Sequence, residues 1–247
     1  MDFIKIKSWE GMRRIAHGFG TKGPMDIKST KQSWFEGEIQ EKGGPYPLVG
    51  MRQVHGANVI VFGGESPNPK EFWAKEGDAL ITRVPGFALG VFTADCLPIL
   101  LFDPVKQAIG IVHAGWRGSA KAIAQKTVQK MKEAFNCTGA SITAVMGPCI
   151  GPCCFEVDLP VKAAFEEGGL PWNLISTPRS ENKWSLNLQA ANSYCLELSG
   201  VPKKNIHRLN YCTLCHRALF HSYRGEGQTR GRQLNFIALK KAYSGDL

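Results

Sequence analysis

Short apolar runs broken by turns set the pattern of this chain. Residues 98–102 and 108–112 are two such runs, and Asp103-Pro104 lies between them. Asp-Pro favours a turn, so the pattern predicts two buried strands joined by a short loop. In antiparallel pairing, Cys96 just before the first strand and His113 just after the second reach the same sheet edge. Further strands are predicted over 3–6, 48–54, 58–62, 78–82, 87–92, 141–146, 206–209, 218–223 and 233–239. The 78–82 and 87–92 runs read as a strand pair around Pro85-Gly86. Helical spacing places Ala120, Ile123, Ala124, Thr127, Val128, Met131 and Phe135 on one face, with Ser119 as cap. A second amphipathic helix is predicted over 186–199, stopped by Gly200 with Pro202 beyond. Asp158 ahead of Pro160 marks a third helix start. Glycines at positions 18, 20 and 23 predict a loop over 17–23, the polar stretch 24–46 reads as a mobile flap, and 63–70 reads as loop. Strands outnumber helices, and the helices come singly between them. That pattern predicts the α+β class: a mixed or antiparallel sheet system with helices packed outside, in one domain over 1–247.

Composition narrows the picture. The chain has 247 residues, 43% of them hydrophobic, enough for a sizeable core. It lacks the ~20 uninterrupted apolar residues of a membrane helix. Its first residues lack a signal-peptide pattern, which predicts a cytoplasmic protein with no membrane partner. The net charge of +9 is dispersed, with small clusters at Arg13-Arg14, Lys203-Lys204 and Lys240-Lys241. A basic surface attracts anionic ligands such as phosphates or nucleotides, but no nucleic-acid-binding motif is present. Eight cysteines are too sparse for a disulfide scaffold, and most are expected to be buried thiols.

Several residues can carry chemistry. His55, Cys96 and His113 each stand at a strand end beside a small residue. A thiolate with two imidazoles suits zinc or copper, and three ligands leave a fourth position open, as in catalytic zinc sites. The spacing matches no short zinc-finger signature, so a buried Cys with two hydrogen-bonded His stays open. Arg117 and Gly118, in a glycine-rich turn before a helix, can hold an anion, or can be an ordinary turn with a surface Arg. Cys212, Cys215 and His216 form CxxCH, a haem-attachment signature that requires export; without an export signal, haem is set aside. Arg224 and Arg232 can reach an anionic substrate or pair with surface acids. Cys149, Cys153 and Cys154 in GPCIGPCC read as a metal knuckle or as buried thiols in a glycine-proline turn.

Taken together, HGFGTKG, QVHG (53–56), DALIT (78–82), TADCLPILLFDP, HAGWRG, GPCIG with FEV (155–157), and the closing CT, FHSYR and GR blocks resemble the YfiH-like family. That family has carried laccase-domain and polyphenol oxidase labels and is described as purine nucleoside phosphorylase. The resemblance implies a sheet sandwich, likened to a toxin-type cysteine deamidase. It implies a metal, zinc or alternatively copper, on His55, Cys96 and His113. It implies phosphorolysis of adenosine, inosine, guanosine and methylthioadenosine, with adenosine deamination. For that reaction the candidate catalytic residues are Cys96, His113 and Asp95, and the candidates for binding substrate or phosphate are Arg117, Gly118, Gln53, Cys212 and Arg224. Gly20-Thr21-Lys22 replaces the family's Ser-Thr-Arg, and the Asn-Leu, Gly-Asp and Asn-Arg pairs that usually follow are missing from 24–46, a departure that bears on substrate range if those residues line the pocket. Three other readings stand beside this one: a Cys-His amide hydrolase editing a peptidoglycan precursor, a copper-dependent polyphenol oxidase, and a binding domain held by closed four-ligand zinc.

Overall fold

A computed structural model describes residues 2–22, 37–41, 44–64, 67–227 and 231–241. Its early strands are β1 (Phe3–Ile4), β2 (Ile15–Gly20), β3 (Glu38–Glu41), β4 (Gly44–Val49) and β5 (Val59–Phe62). Next come β6 (Ala79–Thr82), β7 (Ala88–Thr93), β8 (Leu97–Asp103), β9 (Ala108–Ala114) and β10 (Thr143–Met146). The last are β11 (Glu156–Val157), β12 (Ser176–Ser180), β13 (Lys183–Leu186), β14 (Ile206–Arg208) and β15 (Gln233–Leu239). One large sheet has the order β1-β2-β15-β7-β4-β3, the other β14-β10-β8-β9-β6-β5, and β11-β13-β12 form a small third sheet. Both large sheets are mixed: β4 runs parallel to β7 and β5 parallel to β6, while β15 with β2 and β8 with β9 are antiparallel. The α+β class with mixed sheets and flanking helices is therefore as the sequence implies.

Strand alternation builds the layers. Leu100 and Phe102 of β8, with Ile109 and Ile111 of β9, share a core with Phe19, Val91 and Ile237 of the first sheet. Leu97, Ile99 and Leu101 point to the other face, where they join Ile123, Val128 and Met131 of one helix and Leu188 and Leu196 of another. All seven residues of β8 and of β9 are buried, which explains their continuous apolar runs. Each fully buried Leu or Ile contributes roughly 1.5–3 kcal/mol relative to exposure. At the far end of the hairpin, Asp103 accepts from the N–H groups of Val105 and Lys106, so the Asp-Pro turn forms as read.

Several sequence expectations are corrected. The glycine-rich 17–20 stretch is strand, not loop. Gly18 is there for space: a Cβ would lie 2.7 Å from Phe3 Cβ and 2.9 Å from Phe236 Cε1. The 79–82 and 88–93 strands do not pair; they lie in different sheets. The first predicted helix is two helices, Trp116–Ala120 and Ile123–Phe135, broken where Ala122 adopts a left-handed φ of 55°. Residues 44–49, not 48–54, form β4, and Pro69–Phe72 is a short helix capped by Asn68. The 218–223 run is not a strand; its end enters the Tyr223–Glu226 helix. The flap expected over 24–46 falls largely outside the described residues, and its remainder forms the β3–β4 hairpin.

His17 of β2 gives the fold a pH dependence. Its Nε2 accepts from Ile6 N–H at 3.1 Å, and Trp9 packs edge-on at 5.3 Å. Burial, then the charges of Lys5 and Lys240, push its pKa from 6.5 down to about 4. Between those values the unfolded chain binds the proton and the folded chain does not, so stability falls as pH falls. The expected loss is roughly 3 kcal/mol from pH 7 to pH 4. Urea unfolding at both pH values, compared with His17→Gln, measures it; equal pH slopes in the two proteins refute it.

Candidate metal centre

The β8–β9 hairpin brings Cys96 and His113 to one edge, with Leu97 opposite Ala114 and Pro98 opposite His113. His55 arrives from a separate turn, at a left-handed φ of 58°. Its ring meets that of His113 edge-on, with centroids 4.8 Å apart. The ligand atoms of His55, Cys96 and His113 all lie within 4.8 Å of one another. Gly115 lines the remaining side: a Cβ there would stand 3.0 Å from Cys96 Sγ and 3.2 Å from His55 Cδ2.

Asp78 organises this trio, and sequence reasoning missed it as a site residue. Fully buried just before β6, it accepts from His113 Nδ1 at 2.8 Å. The same carboxylate accepts from the N–H groups of His55 (2.9 Å), Gly56 (2.6 Å) and Val54 (3.3 Å). One carboxylate thus fixes the His55 turn and leaves Nε2 of His113 for the centre. The signal was present in DALIT, but nothing local tied its Asp to two histidines. A carboxylate behind a histidine is the usual support of a metal-ligating imidazole. One thiol, two imidazoles and this support fit a borderline divalent ion with a further position open.

The electrostatics favour charge at the trio. Burial opposes the Cys96 thiolate, but His113 and His55 beside it outweigh burial and bring its pKa to about 6. Burial likewise opposes protonated His113, yet Cys96 and Asp78 raise it to about 9. Asp78 stays below the usual carboxylate range: burial works against its charge, and the His113 and backbone hydrogen bonds prevail.

A cavity of about 640 Å³ opens over the trio, within the roughly 300–1,000 Å³ range of small-molecule sites. Phe92, Trp116, Phe155 and Tyr223 give it aromatic walls, and Arg117, Arg224 and Arg232 give it positive charge. Arg117 lies over the Trp116 ring at 4.3 Å. Asp95, at a left-handed φ of 80°, accepts from Thr213 Oγ1 (2.5 Å) and from Arg224 N–H (2.6 Å). Its carboxylate therefore holds the chain segment that carries Arg224. Gln53 lines the cavity, but its amide pairs with both backbone groups of Phe92, each at 2.8 Å. Gly118 does not line the cavity; a Cβ there would come within 2.8 Å of the Gly56 carbonyl, so it serves close packing. Cys212 does not line it either: its sulfur joins those of Cys153, Cys154 and Cys215. Lys22 is also away from it, paired with Glu226 at 2.7 Å. No helix among the described residues is long and apolar enough to cross a membrane.

Known proteins are similar to this chain in sequence and in fold. A purine nucleoside phosphorylase of Bacteroides thetaiotaomicron is 35% identical over 202 residues, covering 80% of this chain and 75% of that protein. Adenosine deaminase RL5, from an unknown prokaryotic organism, is 36% identical over 198 residues, covering 78% and 75%. The crystal structure of YlmD from Geobacillus stearothermophilus superposes with a TM-score of 0.80 at 28% identity, covering 98% of this chain and 97% of that one. The family model described as multi-copper polyphenol oxidoreductase laccase matches residues 37–240, a span that holds the trio, Asp78 and the cavity walls, and the chain belongs to that family.

Proposed function

We propose that this protein is a metal-dependent purine nucleoside phosphorylase, with zinc on His55, Cys96 and His113. Inosine, adenosine, guanosine and methylthioadenosine are its substrates. The observation that carries this reading is a three-donor centre at the floor of an accessible cavity whose walls are aromatic and cationic. The relative named purine nucleoside phosphorylase adds support.

In phosphorolysis a phosphate oxygen bonds to the anomeric carbon while the bond from that carbon to the purine nitrogen breaks. The bonding pair leaves with the purine, which takes a proton, and ribose 1-phosphate remains. Aromatic walls suit the base, since stacking on such rings is worth about 1–3 kcal/mol per base. Arg117, Arg224 and Arg232 hold phosphate against the sugar, with planar forks matched to its oxygens. Asp95 keeps Arg224 in place through its backbone N–H. Asp78 keeps His113 and His55 aimed at the centre. The ion supplies Lewis acidity and a template for oxygen ligands.

Inosine incubated with phosphate is expected to give hypoxanthine and ribose 1-phosphate, and no hypoxanthine without phosphate. Turnover independent of phosphate overturns the reading. Adenosine in the same assay tests deamination, which the relative named adenosine deaminase favours. Elemental analysis of the purified protein separates zinc from copper.

A second reading rests on the order Cys96, His113, Asp78, which matches a nucleophile, a base and a group that orients the base. It makes the protein an amide hydrolase acting on a nucleotide-linked peptidoglycan precursor. A chelator should abolish phosphorolysis and leave such hydrolysis intact.

A further inference from the structure

A second group of metal-ligating side chains lies outside the cavity. Cys153 and Cys154 come from the turn after β10, and Cys212 and Cys215 from the turn after β14. All four sulfurs lie within 4.8 Å of one another. Cys153 and Cys215 sulfurs are 3.6 Å apart, and Cys154 and Cys215 sulfurs 3.4 Å apart. A disulfide bond is about 2.05 Å, so these are separate thiols. With zinc–sulfur bonds of about 2.3 Å, the edge of a tetrahedral four-thiolate site is about 3.8 Å. The observed spacing is close to that edge.

We propose that Cys153, Cys154, Cys212 and Cys215 form a closed four-thiolate site for a zinc-class ion that staples the two turns together. This site is independent of the His55, Cys96 and His113 centre and of any reading of its activity.

The backbone around the sulfurs is shaped for the purpose. Gly151 N–H donates to Cys212 Sγ at 3.2 Å, as backbone groups do in metal knuckles. A Cβ on Gly151 would lie 3.2 Å from Cys153 Sγ and 3.2 Å from Cys212 Cβ, a tight contact that glycine avoids. Cys149 and Cys212 form an isolated parallel bridge that ties the two segments before the thiols meet. Arg179 donates to the carbonyls of Pro152 (3.2 Å) and Cys153 (2.9 Å), fixing the first turn from outside. Cys212 is buried and Cys154 half-buried, while Cys153 and Cys215 are exposed, which gives an ion a way in. Thiolates are soft ligands suited to zinc, and four protein ligands with no open position mark a structural site. On binding, the thiols release their protons to solvent.

The site explains the CxxC within 212–216 without haem. It also reaches the cavity wall, because Thr213 beside Cys212 donates to Asp95, and Phe155 follows Cys154.

The test uses full-length Cys96→Ser protein, so that failure of the cavity centre cannot be mistaken for failure of this site. Metal is removed under reducing conditions and cobalt(II) is titrated in. One equivalent is expected to bind with sulfur-to-cobalt charge-transfer bands and the intense visible bands of tetrahedral cobalt, and to raise the thermal midpoint. Adding Cys215→Ser, or separately Cys153→Ser, is expected to remove both the four-sulfur spectrum and the thermal shift. A Cys96→Ser protein that binds no cobalt overturns the proposal, as does an unchanged spectrum in both added variants. Peptide mapping that finds a Cys154–Cys215 disulfide in metal-replete, reduced protein also overturns it.

Discussion

Cys96→Ser is expected to lower phosphorolysis by at least ~10³-fold while leaving the fold intact. Ion-assisted charge stabilisation of about 4 kcal/mol corresponds to that factor. Serine is the right test because it keeps the size of the side chain and removes the soft, ionisable donor. The Cys96 thiol sits at a pKa of about 6, so the native side chain offers a thiolate at neutral pH; a serine hydroxyl does not. Two imidazoles then remain, one of them still held by Asp78. Metal content is expected to fall by one equivalent per chain, and the thermal midpoint of metal-depleted protein to stay within a few degrees of the wild type. Cys96 adjoins the hairpin but belongs to none of the buried core clusters, so its sulfur is not needed for packing. Activity within tenfold of the wild type would sink the metal-centre reading. Loss of activity with full metal retention would move Cys96 into the nucleophile role of the second reading.

What the sequence revealed depended on distance along the chain. The hairpin over 97–114 was legible because its determinants are local: two apolar runs, an Asp-Pro turn, and polar side chains at the ends. That hairpin alone explains why Cys96 and His113 meet. His55 was grouped with them from its strand-end position, and the family resemblance named the same three; no local signal showed how it reaches the hairpin, since its place depends on Asp78, which lies 23 residues beyond it. The role of Asp78 itself was hidden for the same reason, as its partner His113 is 35 residues away. Glycine misled where it makes room for aromatic rings, as at Gly18, instead of making a turn. The 218–223 run was expected as one of the closing strands. Its end is instead held by Asp95, which accepts from Arg224 N–H across 129 residues. Cys212 stood among the candidates for binding substrate or phosphate, and nothing local showed that its sulfur lies with those of Cys153 and Cys154, on a turn some sixty residues earlier.

Asp78→Asn is the substitution expected to damage both fold and centre. The carboxylate is fully buried and receives four hydrogen bonds, three from backbone N–H groups and one from His113. Asparagine keeps one acceptor oxygen and turns an NH₂ group toward donors that need an acceptor. Each hydrogen bond to a charged group contributes about 1.5–3 kcal/mol, so a loss of at least ~3 kcal/mol in stability is expected. For a chain of this size that lowers the thermal midpoint by about 6–12 °C. Metal affinity is expected to fall by about 10–100-fold, because His55 and His113 lose the group that aims them. Asp103→Asn separates the two effects. Asp103 is also fully buried and accepts from Ser141 and from two backbone N–H groups, but it stands at the opposite end of β8. The six residue steps along that strand span about 20 Å. Asp103→Asn is therefore expected to destabilise the protein and leave metal affinity unchanged. Calorimetry of both variants, with metal titrations below their midpoints, reads the difference. Equal metal affinity in Asp78→Asn and wild type would mean that the trio holds its geometry without its buried carboxylate.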